Sequence, residues 1–241
     1  MSPDISKDGN ELAAKAANWF VEYVNEVLQT KDRCTVALAG GNTPKKLYEL
    51  LASDAYKNKI DWSKLHFFWG DERYVPFDDE RNNAKMVSDI LLNHVPVPKE
   101  HIHIMRTDIE PEQSAAEYES ILKDYFGEEG PSFDVVLLGM GNDGHTLSLF
   151  PGNDNIHEKE KWVMAFYLDA QKMYRITLTT TIVNRACEVV FLVTGADKAV
   201  PLFQVLYGEH DPELYPTQLI QPYNTAPVWF IDSAAATEIE S

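Results

Sequence analysis

The chain has 241 residues, of which 44% are hydrophobic and 24% charged, proportions typical of a soluble globular protein with a substantial core. Its formal net charge of −17, from 21 basic and 38 acidic residues, argues against nucleic acid or an anionic membrane as a partner. No stretch approaches the roughly 20 apolar residues that span a bilayer, and the polar N-terminus lacks the apolar core of a signal peptide. These features predict a cytoplasmic protein without a membrane partner.

Helical and strand-like segments alternate along the chain, which is typical of an α/β protein with a largely parallel sheet. Apolar spacing and turn residues predict, in chain order, a helix over 11–29, a strand over 34–39, a helix over 44–51, a strand over 65–69, a helix over 83–92, a short strand over 101–105, a helix over 111–126, strands over 133–138, 163–168, 175–178 and 188–193, a helix over 197–207 and a strand over 228–231. The loops that follow Ala39, Trp69, Leu138 and Val193 carry polar residues or glycines, and in a parallel sheet they meet at one edge.

The two cysteines, Cys34 and Cys187, are far apart in sequence and lie in or beside apolar segments. They form neither a disulfide framework nor a zinc-binding pattern. We expect reduced, mostly buried thiols, as is usual in the cytosol.

A glycine pair, an asparagine and a threonine follow the first predicted strand. Thr43 is predicted to cap the helix that follows, with Pro44 at its first position. Free N–H groups at a helix N-terminus attract anions, and Gly41 allows a ligand to approach the backbone closely. The pattern is therefore that of an anion-binding turn, although an ordinary tight turn before a capped helix fits it equally well.

The next predicted strand ends in Gly70-Asp71-Glu72-Arg73. The planar guanidinium of Arg73 suits a phosphate group. Asp71 and Glu72 are either bases or residues that hold Arg73 in place. The acidic run at 78–80 is interpreted as a solvated loop, because carboxylates alone do not make a magnesium site, and no metal site is predicted.

The most informative stretch is the apolar strand that ends at Leu138 and the loop Gly139-Met140-Gly141-Asn142-Asp143-Gly144-His145 behind it. A histidine delivered to the carboxyl end of a buried strand can act as a general acid or base near neutral pH. We therefore favour a functional role for His145. The other six histidines lack this setting and are interpreted as structural or surface residues: His66, His94, His101, His103, His157 and His210.

Two further cations complete the pattern. Arg175 opens a predicted strand, and Lys198 lies at the start of a predicted helix. A cation in the first turn opposes the helix dipole, which suggests that Lys198 has a partner outside its helix.

Five stretches, in this order, resemble the 6-phosphogluconolactonase family: AGGNTPKKLY (39–48), GDERYVP (70–76), GMGNDGHTLSLFPG (139–152), RITLT (175–179) and GADKA (195–199). The resemblance implies one Rossmann-like domain over residues 1–241, a largely parallel sheet flanked by helices, of the glucosamine-6-phosphate isomerase/deaminase-like type. It implies a cofactor-free enzyme of the oxidative pentose phosphate pathway that hydrolyses 6-phospho-D-glucono-1,5-lactone to 6-phosphogluconate. Its small-molecule partner is this sugar-phosphate lactone, and we expect a monomer or a weak homodimer.

The resemblance also implies roles for individual residues. By position, His145 corresponds to the catalytic base, and Asp143 sets the environment of its imidazole. The contacts to phosphate and sugar correspond to Gly41, Asn42, Thr43, Arg73, Arg175 and Lys198. Two positions depart from the family pattern, since Asn42 stands where serine is usual and Leu147 where a small residue is usual.

The expected mechanism is direct attack by water on the lactone carbonyl, with His145 as the base. A covalent acyl-enzyme is disfavoured, because the chain lacks a Gly-x-Ser-x-Gly elbow and Ser148 is interpreted as a helix-start or packing residue.

Two alternative functions remain. A glucosamine-6-phosphate deaminase shares the Asp-Gly-His loop, but it has Tyr where this chain has Arg73 and an Asn-Glu-Pro sequence after the loop. A non-catalytic sugar-phosphate sensor would keep the pocket without turnover.

Overall fold

A parallel six-stranded sheet organises the molecule. The structure, a computed structural model, describes residues 2–239. Its elements in chain order are β1 (Asp4–Ser6), α1 (Gly9–Thr30), β2 (Cys34–Leu38), α2 (Asn42–Leu51), β3 (Leu65–Trp69), β4 (Asp71–Arg73), α3 (Asn83–Val87), α4 (Pro111–Phe126), β5 (Val135–Leu138), β6 (Val163–Leu168), β7 (Met173–Leu178), α5 (Thr180–Val183), β8 (Glu188–Val193), α6 (Ala199–Tyr207) and β9 (Val228–Asp232). Within residues 2–239, no helix combines the length and hydropathy that crossing a membrane requires.

The strands of the large sheet lie in the order β1-β9-β8-β5-β2-β3, and every neighbouring pair is parallel. Helices cover both faces, so β2, β3 and β5 are buried along their whole length. Phe20 of α1 and Leu47 of α2 lie in the core on one face, and Tyr118 and Leu122 of α4 lie in the core on the other. The predicted α/β class and the parallel sheet are confirmed.

Local sequence signals explain α1. Asp8 caps the helix by accepting the N–H groups of Asn10 and Glu11, each at 2.9 Å. Its buried residues recur at helical spacing and face the sheet: Leu12, Ala13, Ala16, Ala17, Phe20, Val21, Val24 and Val27.

A second, smaller sheet has the antiparallel order β4-β7-β6. Gly70 connects the two sheets, because its N–H donates to Leu38 O at 2.9 Å and its carbonyl accepts the N–H of Leu178 at 2.8 Å. β4 therefore follows β3 after a single residue and pairs with β7, placing Arg73 opposite Arg175. The polar residues Asp71–Arg73 are expected in a loop, so neither this strand nor the small sheet is predicted from the sequence.

Most predicted elements have nearly the predicted bounds, and four differ. α2 begins at Asn42 with Gly41 at its cap position, so Thr43 is not the cap and Pro44 is the third helical residue. The Thr43 hydroxyl instead lies 2.7 Å from the hydroxyl of Thr194, which follows β8. The reason is the left-handed backbone of Gly41 (φ 96°), which starts the helix earlier than a threonine cap would.

The predicted strand over 101–105 is wrong. Lys99–His101 forms a 3₁₀ turn, and only one bridge, between Phe67 and Ile102, joins the segment to β3. The chain then buries Met105 in the core beside α4, so no ladder forms.

Two predicted helices divide into shorter pieces. The helix predicted over 83–92 is α3 followed by a π-helical turn over Ser88–Leu92. The helix predicted over 197–207 is a 3₁₀ turn over Ala196–Lys198 followed by α6.

Candidate active site

The loops after β2, β3 and β5 line one cavity of about 170 Å³, as expected for the carboxyl edge of a parallel sheet. The lining consists of residues 39–41, Gly70, Asp71, Arg73, residues 138–141 and residues 145–147. The turn at Gly40 and Gly41 and the side chain of His145 thus line a common cleft, as the parallel sheet predicts. A larger groove of about 350 Å³ between α4 and β6 contains no histidine and none of these loops.

The turn at Gly40 and Gly41 presents the N-terminus of α2 without a side-chain cap. The N–H groups of Asn42 and Thr43 have no acceptor inside the helix, so they remain available to an anion. Asn42 is exposed, in keeping with this role. Gly40 is required by packing, because a Cβ atom there would lie 1.9 Å from Asn83 Oδ1. Asn83 in turn donates to Asp71 O at 2.9 Å, which ties this turn to β4.

Arg73 is a half-buried cation on the cavity wall. Its Nη1 donates to Arg81 O at 3.3 Å, but its Nε is buried and has no hydrogen-bond partner among residues 2–239. A buried guanidinium N–H without an acceptor is costly, so an anionic group beside Arg73 would be stabilising.

Glu72 and Asp71 have different roles, a question that the sequence left open. Glu72 is fully buried and accepts the backbone N–H groups of Arg73 (2.8 Å), Asn83 (2.7 Å) and Ala84 (2.9 Å). Burial raises the pKa of Glu72 to about 7, against these three hydrogen bonds. Glu72 does not line the cavity; it joins β4 to the start of α3.

Asp71 lines the cavity, and its Oδ2 accepts the Ser148 hydroxyl at 2.6 Å.

Arg175 lies behind Asp71 and outside the cavity lining. Its guanidinium is buried and contacts Asp71 Oδ2 (3.2 Å) and Gln171 Oε1 (2.8 Å), while its Nε has no partner in the described part of the chain. Burial lowers the pKa of Arg175, and the carboxylate of Asp71 opposes that shift. In this structure Arg175 therefore supports the cavity wall.

His145 and Asp143 form a pair at the mouth of the cavity. His145 Nδ1 lies 2.5 Å from Asp143 Oδ1, and the same oxygen accepts the His145 N–H at 3.1 Å. Burial alone would raise the pKa of Asp143, but its hydrogen bonds and charge interaction with His145 outweigh burial and lower it. Because an ionised carboxylate only accepts, Nδ1 carries the proton and Nε2 is left to act as a base.

Two neighbours, Gly141 and Phe150, fix the imidazole ring of His145. A Cβ atom at Gly141 would lie 2.1 Å from His145 Nδ1, so only glycine leaves room for the ring. The Phe150 ring lies 4.2 Å from the imidazole, centroid to centroid. The His145 carbonyl accepts the N–H of Gly141 at 2.8 Å, which closes the loop.

Leu147 adopts a left-handed backbone (φ 55°), an uncommon conformation for a residue with a branched side chain. Its Cδ2 atom occupies the space beside Gly70, where a Cβ atom would come within 2.7 Å. The departure at 147 thus fills part of the cavity floor.

Lys198 ends the 3₁₀ turn before α6 and pairs with Asp197 Oδ2 at 2.8 Å. Lys198 is also the N-cap residue of α6, and its charge is balanced by Asp197, which precedes that helix. Lys198 lies after β8, at the same sheet edge as the cavity but outside its lining.

Two other residues, Ser148 and Thr217, support the site. Ser148 is fully buried in a turn and starts no helix, contrary to one of the two interpretations; it donates to Asp71. Thr217 donates to the carbonyl of Gly144, between Asp143 and His145. No local pattern points to Thr217, because its partner lies 73 positions away in sequence.

Within residues 2–239, no group of three or more His, Cys, Asp or Glu side chains could hold a metal ion.

Comparisons with known proteins agree with this architecture. Residues 7–229 match the family model of glucosamine-6-phosphate isomerases/6-phosphogluconolactonase. A 6-phosphogluconolactonase of Synechocystis sp. is 40% identical over 245 residues, which cover 99% of each chain. The structure of 6-phosphogluconolactonase from Trypanosoma brucei superimposes with a TM-score of 0.84 at 29% identity, over 99% of each chain. The chain belongs to the glucosamine-6-phosphate isomerase/6-phosphogluconolactonase family.

A monomeric glucosamine-6-phosphate deaminase also superimposes, with a TM-score of 0.84, over 99% of this chain and 100% of the deaminase. Its sequence identity is 20%, so this likeness concerns the fold alone. The fold is thus common to both activities, and residues of the site must distinguish them.

Proposed function

We propose that this protein is a hydrolase that converts 6-phospho-D-glucono-1,5-lactone to 6-phospho-D-gluconate. The observation that carries the proposal is the position of His145. Its imidazole is oriented by Asp143 and lines the same cavity as the uncapped turn at Gly41 and the guanidinium of Arg73. A base and an anion-binding wall in one cavity suit a substrate with a reactive ester at one end and a phosphate at the other.

In the proposed reaction, His145 Nε2 takes a proton from a water molecule as the water oxygen attacks the lactone carbonyl carbon. The carbonyl becomes a tetrahedral oxyanion, which backbone N–H groups of the glycine-rich loops stabilise. The oxyanion then re-forms the carbonyl, the bond from C1 to the ring oxygen breaks, and the imidazolium returns the proton to that oxygen. Asp143 stabilises the imidazolium between these steps.

Substrate binding is assigned to the rest of the cavity lining and to the sheet edge beside it. The backbone of Gly41, the start of α2 at Asn42 and Thr43, and the side chains of Arg73 and Lys198 are proposed to hold the phosphate and sugar hydroxyls. Arg175 is proposed to act through Asp71, since its guanidinium faces that carboxylate and not the cavity.

Direct attack by water is favoured over an acyl-enzyme. Ser148, three residues after His145, is fully buried, and its hydroxyl donates to Asp71 instead of His145. A serine nucleophile needs a base within hydrogen-bond reach, and Ser148 faces a carboxylate already paired with Arg175.

Arg73 separates this proposal from the deaminase alternative. The sequence pattern of the deaminase has tyrosine there, whereas this chain places Arg73 in the lining of the cavity. A non-catalytic sensor would not need the oriented pair of Asp143 and His145.

The proposal extends to the setting of the enzyme. We propose that residues 1–241 act as one domain, in a monomer or weak homodimer, since one six-stranded sheet organises the fold and its loops line the cavity. Cys34 and Cys187 are both free, as is usual for a cytoplasmic protein.

The test is a coupled assay in which glucose-6-phosphate dehydrogenase generates the lactone in place. Lactone decay is compared with and without this protein, and ammonia release from glucosamine 6-phosphate is measured in parallel. Faster lactone decay without ammonia release supports the proposal. Ammonia release, or lactone decay at the rate seen in buffer, contradicts it.

A further inference from the structure

The loop that carries Asp143 and His145 is held from outside by Thr217, 73 positions after Gly144 in the chain. The carbonyl of Gly144 accepts two hydrogen bonds from Thr217, one from its hydroxyl at 2.8 Å and one from its N–H at 3.1 Å. Thr217 is 2% exposed, so water does not compete for this carbonyl from the side of Thr217. The two bonds fix the peptide group that joins Gly144 to His145.

Gly144 is also packed so that no larger residue fits. Its φ of 78° lies in the left-handed region, and a Cβ atom there would lie 2.7 Å from the Tyr215 ring and 3.3 Å from Tyr215 Cα. The backbone at Tyr215 cannot withdraw without moving Thr217, its neighbour two residues away. The segment around Tyr215 and Thr217 thus acts as a close-fitting support for the turn between Asp143 and His145.

The supporting segment is itself anchored. Gln218, next to Thr217, donates through Nε2 to Gln204 O and Glu209 O, both at 3.0 Å. Its Oε1 accepts the N–H of Asp211 at 2.7 Å. These bonds attach the segment to the C-terminal end of α6, so Thr217 presents its two donors from a rigid base.

We propose that Thr217 is a positioning residue for lactone hydrolysis, which keeps Asp143 on Nδ1 of His145 by fixing the carbonyl of Gly144. The inference rests on the proposed function. Asp143 and His145 flank Gly144 directly, and a rotation of the 144–145 peptide would change the distance between their side chains. Misplacing a catalytic group by about 1 Å can cost on the order of 100-fold in rate, so a modest rotation is enough to matter.

Thr217→Val tests this inference, because it keeps the shape and the backbone N–H but removes the hydroxyl donor. We expect kcat to fall on the order of 10-fold with KM within about twofold, since one of two hydrogen bonds is lost and the substrate wall is untouched. Thr217→Ser restores the donor and should restore kcat. Thr225→Val is the matched control, since Thr225 also donates to a carbonyl, that of Cys187, but is exposed.

A double-mutant cycle with Asp143→Asn gives the decisive readout. If Thr217 acts through the pair of Asp143 and His145, Thr217→Val in the Asp143→Asn background costs less than about twofold in kcat. A multiplicative loss in the double variant overturns the inference, as does unchanged kcat in Thr217→Val or failure of Thr217→Ser to recover activity. Thr217→Ala serves in the same cycle if the valine variant does not fold.

The outcomes separate this inference from the proposed function. If the unmodified protein does not accelerate lactone hydrolysis, the proposed function fails. If it does, and the two substitutions are multiplicative, only the role of Thr217 is overturned.

Discussion

His145 Nδ1 and Asp143 Oδ1 lie 2.5 Å apart, and the residue between them is a glycine in the left-handed region. This spacing brings a carboxylate onto the imidazole of the next residue but one, a pair of positions that do not face each other in a regular helix. The loop therefore fixes which ring nitrogen holds the proton and which is free. The proposed mechanism depends on that assignment.

Asp143→Asn is expected to lower kcat on the order of 100-fold while KM changes little, because the amide cannot stabilise the imidazolium as a carboxylate does. Steady-state kinetics of lactone decay measure both constants. Asp124→Asn, an exposed position on α4, is the matched control. Equal kcat in Asp143→Asn and the unmodified protein would remove Asp143 from the mechanism.

Arg73→Lys is expected to raise KM about 10- to 100-fold, with kcat within about threefold, because a lysine keeps the charge but loses the planar pair of donors. The control is Arg106→Lys, whose guanidinium pairs with Asp108 and Glu117 at the surface. Isothermal titration with 6-phosphogluconate should show the same loss of affinity. A fall in kcat with unchanged affinity would place Arg73 at the reacting bond instead of the anion.

Ser148→Ala is expected to keep kcat within about 10-fold, since its hydroxyl only supports Asp71, while the free energy of unfolding falls by about 1–3 kcal/mol. Chemical denaturation measures the second quantity. Ser114→Ala is the control, because Ser114 is buried with an unpartnered hydroxyl. Loss of turnover to the level of buffer would support an acyl-enzyme on Ser148.

A separate prediction concerns the pH dependence of stability. Burial, followed by the charges of His101, Arg33 and His103, lowers the pKa of His66 to about 4 from 6.5. The unfolded chain therefore binds a proton at His66 between these values and the folded chain does not. The free energy of unfolding should fall as the pH falls from about 6.5 to 4, by on the order of 2 kcal/mol from this residue.

Denaturant titrations of His66→Gln between pH 7 and 4 check this prediction. The variant should lose less stability over this range than the unmodified protein, while His210→Gln, at an exposed position, should not differ from it. The same pH dependence in His66→Gln and the unmodified protein would show that His66 is not responsible.

The sequence predicted those parts of the fold that depend on local pattern. The strands over 65–69, 163–168 and 188–193 and the helix over 111–126 have the predicted bounds, because each is a strongly apolar or strongly periodic segment. The convergence of the glycine-rich turn and His145 followed from the parallel sheet alone. Their setting at the carboxyl edge needed no knowledge of distant contacts.

Other features depend on partners far away in the chain. β4 reads Asp-Glu-Arg, a polar sequence with no strand signal, and it forms because β7 pairs with it about 100 positions later. Arg175 is predicted to contact the substrate, whereas in the structure its guanidinium pairs with Asp71. No local pattern points to this pair, because 104 positions separate the two residues. The start of α2 also differs from the prediction. Gly41, and not Thr43, takes the cap position, because glycine adopts the required positive φ without steric cost.

The central claim is that His145 is the base of a direct hydrolysis. The measurement that tests it is the rate of lactone decay with His145→Gln, alongside calorimetric binding of 6-phosphogluconate. We expect kcat to fall about 10²- to 10⁴-fold while the product still binds with near-normal affinity, since the anion-binding wall is intact. Turnover equal to that of the unmodified protein would contradict the claim.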